Sequence, residues 1–590
     1  MSEQELGLFG KSDRPDHESA WKLLEKGQEF NQSIRLDETV KVNENFYIGK
    51  QWEGVEANGQ PTIQENFLKR VVGFTTATVT TDNINVNASP LAASEDTDSL
   101  IEPVRIVNDE FVALTERNRV PSMLRVFTRD AAVDGDGCTY TYWDADAKNR
   151  HGRKGEIRTE IIDNTRVFFG NPNDRQVQTQ PFIQITSREI TRRVKLRAKE
   201  NGMDDWEKIQ PDSEGTAQTD FAKVTDDKTT VVLTLWKDEE SGEVWAFESC
   251  KDSDIREPWN LGIKLYPITW LNWDFVKDCY HGQAMLTGLV PNQISVNQMW
   301  SMSVIWAKRG AFPKTVYNKT LVSKWDNRPG SAIGIAGGDI NNVAKIVDGQ
   351  PLNPMISNMT TQLVKSTEES MGATGTAMGE GRADNTSAII ALQRAAATPT
   401  ELTKQNLYET VEDLFRIYLE FMAEYYGKRM VDMEPPEQMQ QQAAALGIQL
   451  PDKIQMEFDF STLKDHPMTI KLDVGASSYY SEIASIQTLD NLLRDGHIDV
   501  VQYLDRIPDG YVPARRALVA ELKRQKAAME AQMAMQAQMQ GGGMPPPEGA
   551  PSMTGGNPMA GVGQPDIQGG SGYGSLQRAI NATGDTRGLV

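Results

Sequence analysis

Between Asp130 and Trp273 the hydrophobic period changes, and this change restricts the fold more than any other feature of the chain. Before it, apolar residues recur at helical spacing: Trp21, Leu23, Leu24, Phe30 and Ile34 over 17–35, then Ile63, Phe67, Val71, Phe74 and Val79 over 62–80. Residues 100–129 continue the helical texture, with a break expected at Pro121 because proline lacks a backbone donor. From Asp130 onward at least six short runs read as strands, among them CTYTYW, GEIRTEIID, VVLTLW and EVWAFESC, separated by Asp, Asn and Gly turns. Helices followed by a block of strands predict an α+β fold with a sizeable sheet.

Residues 283–309 return to helix, with Pro291 expected to reset it and Asn292 to cap the new start. The apolar residues Ile294, Val296, Met299, Trp300, Met302, Ile305 and Trp306 point in several directions, the pattern of a helix packed on more than one side. A strand-like stretch follows over 311–352 (KTVYN, SAIGIAG, VAKIV), and helix resumes over 353–371. Gly372–Ser387 holds four glycines, three alanines and one large apolar residue, Met378, and is expected to be mobile. Residues 388–426 read as one long helix kinked at Pro399, with Leu407, Val411, Leu414, Tyr418, Phe421 and Tyr425 on one seam. MEFDF and MTIKLDV read as strands returning to the sheet, and 481–535 as helices broken near Pro508 and Pro513. Twelve glycines and six prolines over 541–574 predict a disordered tail.

A chain of 590 residues exceeds one hydrophobic core, and its length predicts about three or four domains. The net charge of −21 argues against tight, general binding to nucleic acid, which needs Lys and Arg to neutralise phosphates. A conduit through which DNA slides is compatible with it. Cys138, Cys250 and Cys279 form no CxxC pair, so no disulfide framework is expected, and an intracellular origin fits. The N-terminus shows no apolar signal region, and no run of about 18 apolar residues occurs.

Chemical motifs are weak throughout. Gly10–Lys11–Ser12 has the tail of a phosphate loop, but Glu5 stands where the leading glycine belongs. In GEGRAD, Asp384 occupies the third glycine position of a dinucleotide fingerprint. The five histidines lie at least thirty residues apart, and no pair has metal-ligand spacing. Asp130, Asp134 and Asp136 resemble a piece of a calcium loop, yet Cys138 falls at a ligand position, and a polar turn before a strand is the simpler reading. No catalytic residue, metal site or cofactor is expected. One charge contrast stands out: seven basic residues (Lys308, Arg309, Lys314, Lys319, Lys324, Arg328, Lys345) against three acidic ones (Asp326, Asp339, Asp348) give a net of +4 inside an acidic chain.

The aromatic segment NENFYIGKQW, the segment YHGQAMLTGLVPNQISVNQMW and the order helix, strand patch, helix, glycine-rich loop, kinked helix resemble the portal proteins of tailed bacteriophages over roughly residues 15–535. That resemblance implies a wing over 1–280 with return strands at 427–480, and stem helices at 281–309 and 353–371. It further implies a small α/β clip at 310–352, a tunnel loop at 372–387, a kinked tunnel helix at 388–426, crown helices at 481–540 and a flexible tail at 541–590. Its functional implication is a dodecameric ring at one capsid vertex of the virion, assembled in the host cytoplasm. Double-stranded DNA would pass the channel transiently; the large terminase, the major capsid and scaffolding proteins, and head-tail adaptor or tail proteins would be partners. Gly375, Thr376, Met378, Gly379, Glu380, Gly381, Arg382 and Asn385 would line the channel. Lys314, Lys319, Lys324, Arg328 and Lys345 would dock partners, and Met299, Trp300, Ile305 and Trp306 would pack neighbouring stems. Competing expectations are another multimeric virion protein of the tail or baseplate, and a virion-associated hydrolase or nuclease.

Overall fold

Helix α1 (His17–Ser33) follows the apolar spacing seen in the sequence, α2 (Leu36–Ile48) is not marked by it, and α3 (Phe67–Val79) again follows it. They belong to a computed structural model that describes residues 15–522 with internal exceptions, the longest at 213–226, 374–397, 434–453 and 508–517, and shorter ones such as 149–153, 312–313, 327–332 and 348–353. The expected tail at 541–590 lies outside the described residues. After β1 (Ile84–Pro90) come α4 (Thr97–Arg117) and α5 (Val120–Asp134). The break falls at Asn118–Arg119, where Arg119 adopts a left-handed φ of 50°, and Pro121 sits in the first turn of α5, where its missing N–H has no partner to lose.

The strand block is present but forms two sheets. β2 (Asp136–Lys148), β3 (Lys154–Ile162), β4 (Val167–Phe169), β5 (Phe182–Ile190), β6 (Lys228–Lys237), β7 (Val244–Ser249), β8 (Asp254–Asn260) and β9 (Ile268–Asn272) are arranged as a three-stranded sheet β3-β2-β9 and a five-stranded sheet β4-β5-β6-β7-β8. All these pairings are antiparallel, and α6 (Thr191–Glu200) lies between β5 and β6 in sequence. The chain leaves the first sheet through a 3-10 turn at Asn164–Arg166, builds the second, and returns with β9 to pair β2.

Helix α7 (Met285–Ala311) runs unbroken through Pro291, contrary to the expected restart, and Asn292 lies inside it rather than capping it. A two-stranded patch, β10 (Lys314–Tyr317) with β11 (Ala344–Val347), precedes α8 (Pro354–Ser370); the described part of SAIGIAG is not a strand. The long helix α9 (Glu401–Tyr425) starts only after a 3-10 turn at Thr398–Thr400. Pro399 therefore precedes this helix instead of kinking it, and the expected helical residues 388–397 lie outside the described residues. The seam itself is as expected: Leu407, Val411, Leu414, Tyr418 and Phe421 are buried. β12 (Lys428–Met433) pairs β13 (Ile454–Asp459), and β14 (Met468–Val474) pairs β1, so the late strands form two small sheets, one of them with β1, instead of returning to the larger sheets.

The chain divides into two compact units, 1–487 and 488–590, not the three or four that length suggests. The reason is α9, whose seam joins one continuous core with Phe46, Leu68, Phe111, Phe127, Tyr266, Tyr280 and Leu286. Phe111 meets Phe415 edge to face at 4.9 Å, and Thr159 Oγ1 lies 2.8 Å from the Tyr418 hydroxyl. Helix α10 (Tyr479–Arg494) is followed by α11 (Val500–Arg506), whose start is closed by a capping box from Asp499 and Gln502.

Candidate functional site

Hairpin α7–α8 combines a deeply anchored root with an outer part that finds little cover. The root begins at His281, whose side chain is 2% exposed, and Asp136, whose side chain is 0% exposed. His281 Nδ1 lies 2.7 Å from Asp136 Oδ2, and Asn164 Nδ2 donates to the same oxygen at 3.2 Å. Asp136 Oδ1 accepts from Gly282 N at 2.7 Å and Asn272 Nδ2 at 2.8 Å. One buried carboxylate thus ties β2, β9, the turn after β3 and the lead into α7. The approach is so close that a Cβ on Gly282 would meet Asp274 O at 2.8 Å and Asp136 Oδ1 at 3.0 Å, which only glycine avoids. Tyr280 stacks on Phe169 at 4.5 Å, and its hydroxyl donates to Val167 O.

The first half of α7 buries Met285, Leu286, Leu289, Gln293, Val296, Asn297 and Ser301 on one face. Polar members of that face meet the aromatic segment near the N-terminus. Asn297 Nδ2 donates to Gln51 Oε1 at 2.6 Å, Gln293 Nε2 donates to Glu65 O at 2.6 Å, and Ser301 Oγ accepts from Ile63 N at 3.3 Å. Asn43 Nδ2 reaches both Val133 O and Thr287 Oγ1 at 2.8 Å. The two segments that carry the family resemblance are therefore hydrogen-bonded to each other through buried amides, each needing a partner once removed from water.

Beyond this root α7 pairs with α8 in antiparallel register. Asn292 Nδ2 donates to Thr367 Oγ1 at 2.9 Å, and Thr360 Oγ1 donates to Met299 Sδ at 3.4 Å, one heptad further along each helix. Glu368 of α8 pairs with Arg70. The other side of α7 is not packed as the sequence suggests: Ile294, Trp300 and Met302 are exposed, the last at 56%, while Met299, Ile305 and Trp306 are half-buried. On α8, Met355 and Met359 are exposed as well. Five large apolar side chains on one hairpin go beyond the scattered singles of an ordinary surface.

The β10–β11 patch continues the hairpin. Val322 and Val343 are buried within it, Tyr317 stacks on Trp325 at 5.3 Å, and Val316 is exposed opposite Lys345. Lys308, Arg309, Lys319, Lys324 and Lys345 are exposed; Lys314 lies on β10, and Arg328 falls outside the described residues. Gly375, Thr376, Met378, Gly379, Glu380, Gly381, Arg382 and Asn385 all lie outside them too. The sequence thus marked the exposed half of the hairpin and its basic patch. Asp136, Gln51, Gln293 and Asn297 fall within stretches that the sequence singled out, but their pairing did not show there, because it joins residues more than a hundred positions apart.

Burial pushes the Cys138 and Cys279 thiols up and that of Cys250 up to about 11, away from the thiolate a nucleophile needs. Burial likewise raises the Tyr280 hydroxyl well above its ordinary value. Among the described residues no group of three or more His, Cys, Asp or Glu is placed to hold a metal ion, and Asp130 and Asp134 instead face Arg129 at 2.9 and 4.0 Å. No helix of the described residues is long and apolar enough to cross a membrane. In comparison with known proteins, no family model matches the chain and no curated protein matches it.

Proposed function

We propose that the chain is a portal subunit of a tailed bacteriophage, assembling into a dodecameric ring through which double-stranded DNA is packaged and ejected. The observation that carries this reading is the α7–α8 hairpin, locked at its root by Asp136 and showing Trp300, Met302, Met355 and Met359 farther out. A closed ring needs two different complementary faces on each subunit, and a helix with one side filled from within and another left apolar suits insertion between neighbours.

In this reading the two sheets and their helices form the wing, α7 and α8 the stem, β10–β11 the clip, the segment 374–397 with α9 the tunnel, and α10–α11 part of the crown. The subunit acts as scaffold and conduit and is not an enzyme; ATP hydrolysis belongs to the terminase that docks on it. Capsid and scaffolding proteins, and later head-tail adaptors, would be its other partners at the capsid vertex. Electron microscopy of the purified protein is expected to show rings with an axial channel about 20 Å or more across, wide enough for the duplex. Compact monomers at all concentrations would overturn the proposal.

A second expectation concerns the basic patch. Reversing charge at Lys319 and Lys324, both exposed, is expected to slow docking of an acidic partner about tenfold or more at low salt and much less at high salt. Binding of the ring to terminase or adaptor, followed by surface plasmon resonance across ionic strength, checks this. Equal association rates for parent and variant would remove the patch from docking.

A further inference from the structure

The sheet β3-β2-β9 has two edges, and the fold treats them differently. Along β3, Asn118 covers the open backbone: its Nδ2 donates to Ile157 O, and its Oδ1 accepts from Thr159 N, both at 3.2 Å. Along β9, the side-chain amide of Gln178 does the same for Tyr266, accepting from its N–H at 2.8 Å and donating to its carbonyl at 3.1 Å. At the far end Gln283 N donates to Asp274 O at 2.9 Å in an isolated antiparallel bridge. Between these two caps the edge is open.

The open stretch follows from the register. Thr141 N donates to Pro267 O and Trp273 N to Gly135 O, so the odd-numbered residues of β9 face β2. Alternation then turns the main-chain N–H and C=O of Ile268, Trp270 and Asn272 the other way. None of these outward groups has a hydrogen-bond partner among the described residues. They border a cleft of about 370 Å³, whose other walls are Arg175–Gln178 and the face of α9 bearing Asn406, Glu409, Thr410 and Asp413. Buried main-chain polar groups are ordinarily paired, so an open row of them beside a cleft marks a place for another strand.

The geometry points to β9 as a docking edge for an extended peptide segment of a different protein, bearing Lys or Arg toward α9. Length and charge define the occupant. Pairing with Ile268–Asn272 takes about five residues in extended form. Glu409 and Asp413 stand one turn apart on the cleft side of α9, both exposed; Asp413 pairs with Arg416, and Glu409 has no ion-pair partner among the described residues. Glu409, with Asp413 beside it, selects a basic side chain on the incoming strand. Phe275, 58% exposed with Arg175 stacked over it at 4.0 Å, offers an apolar contact at the cleft wall. The chain's own lysine-bearing strand β10 is already paired with β11, which favours a foreign donor over a second copy.

Hydrogen–deuterium exchange on the full-length protein tests the assignment, with acetyl-Thr-Lys-Val-Lys-Thr-amide as probe. Added at millimolar concentration, it is expected to slow exchange over 266–274 about tenfold. The same peptide N-methylated at alternate residues loses the ladder donors and is expected to give no protection. Glu409→Lys with Asp413→Lys, both at exposed positions, is expected to abolish protection by the lysine peptide and to confer it on acetyl-Thr-Glu-Val-Glu-Thr-amide. Unchanged exchange with the lysine peptide, or equal protection by its N-methylated form, overturns the proposal. Protection that appears on raising protein concentration alone assigns the edge to a second copy and overturns the foreign donor. A portal ring that assembles normally while the probe fails would sink this inference and leave the functional reading standing.

Discussion

Replacing Asp136 by alanine is expected to destabilise the main unit by about 3–5 kcal/mol, because it removes one side of a buried ionisable pair. Four donors converge on this carboxylate: His281 Nδ1, Asn164 Nδ2, Asn272 Nδ2 and Gly282 N. Asn164 Nδ2 and Asn272 Nδ2 keep second acceptors in Asp134 O and Tyr280 O, but His281 Nδ1 and Gly282 N would lose theirs, at a cost of about 1–3 kcal/mol per orphaned group where nothing replaces it. Asp136→Asn keeps one carbonyl acceptor and is expected to lose about half as much, roughly 2 kcal/mol. The damage should be local first. Gly282 and His281 lead directly into α7, so amide exchange at 281–290 is expected to rise before the five-stranded sheet opens. Urea unfolding of both variants, with exchange read by mass spectrometry, checks the size and the order. A loss below about 1 kcal/mol for the alanine variant would show that water enters and replaces the carboxylate.

Trp300→Glu combined with Met302→Glu is expected to abolish ring assembly while leaving the subunit folded. Both side chains are substantially exposed in the single chain, at 43% and 56%, so neither substitution opens a cavity in the core. At a subunit contact the balance reverses. Burying each apolar side chain contributes about 1.5–3 kcal/mol, and a buried unpaired carboxylate adds a further penalty. The loss per interface is at least about 3–6 kcal/mol, or two to four decades in the association constant, and every interface of a ring carries it. Sedimentation velocity should therefore show single subunits where rings are proposed for the parent, with matching circular dichroism. Rings that persist at the same protein concentration would move the subunit contact away from this face of α7.

Much of the element content was legible from local pattern. The seam Leu407–Val411–Leu414–Tyr418–Phe421 marks α9 because helical spacing alone puts those side chains on one face. The strands β2, β3, β6 and β7 show as β-branched and aromatic runs bounded by turns. Proline was read less well. Pro291 lies within α7 and Pro399 before α9, because tertiary packing decides whether a helix tolerates a missing donor or ends beside it. Strand partners were illegible for a different reason: β1 pairs β14 about 380 residues away, and nothing local to either run names the other. The candidate site divides in the same way. The lysines at 319, 324 and 345 form a charge contrast that the sequence reveals, whereas Trp300 reads there as a packed residue and Asp136 as part of a polar turn.

The chain by itself determined an α+β composition, the placement of most helices and strands, an acidic surface and a basic insertion between two helices. Those properties follow from near-neighbour sterics and hydrophobic spacing, which act over a few residues. Only the tertiary structure decided that the strand block splits into two sheets, that Asp136 holds the root of α7, and that β9 keeps an open edge beside α9. Each of these depends on backbone and side-chain groups brought together from distant positions, where burial makes an unpaired polar atom costly and so selects one set of partners.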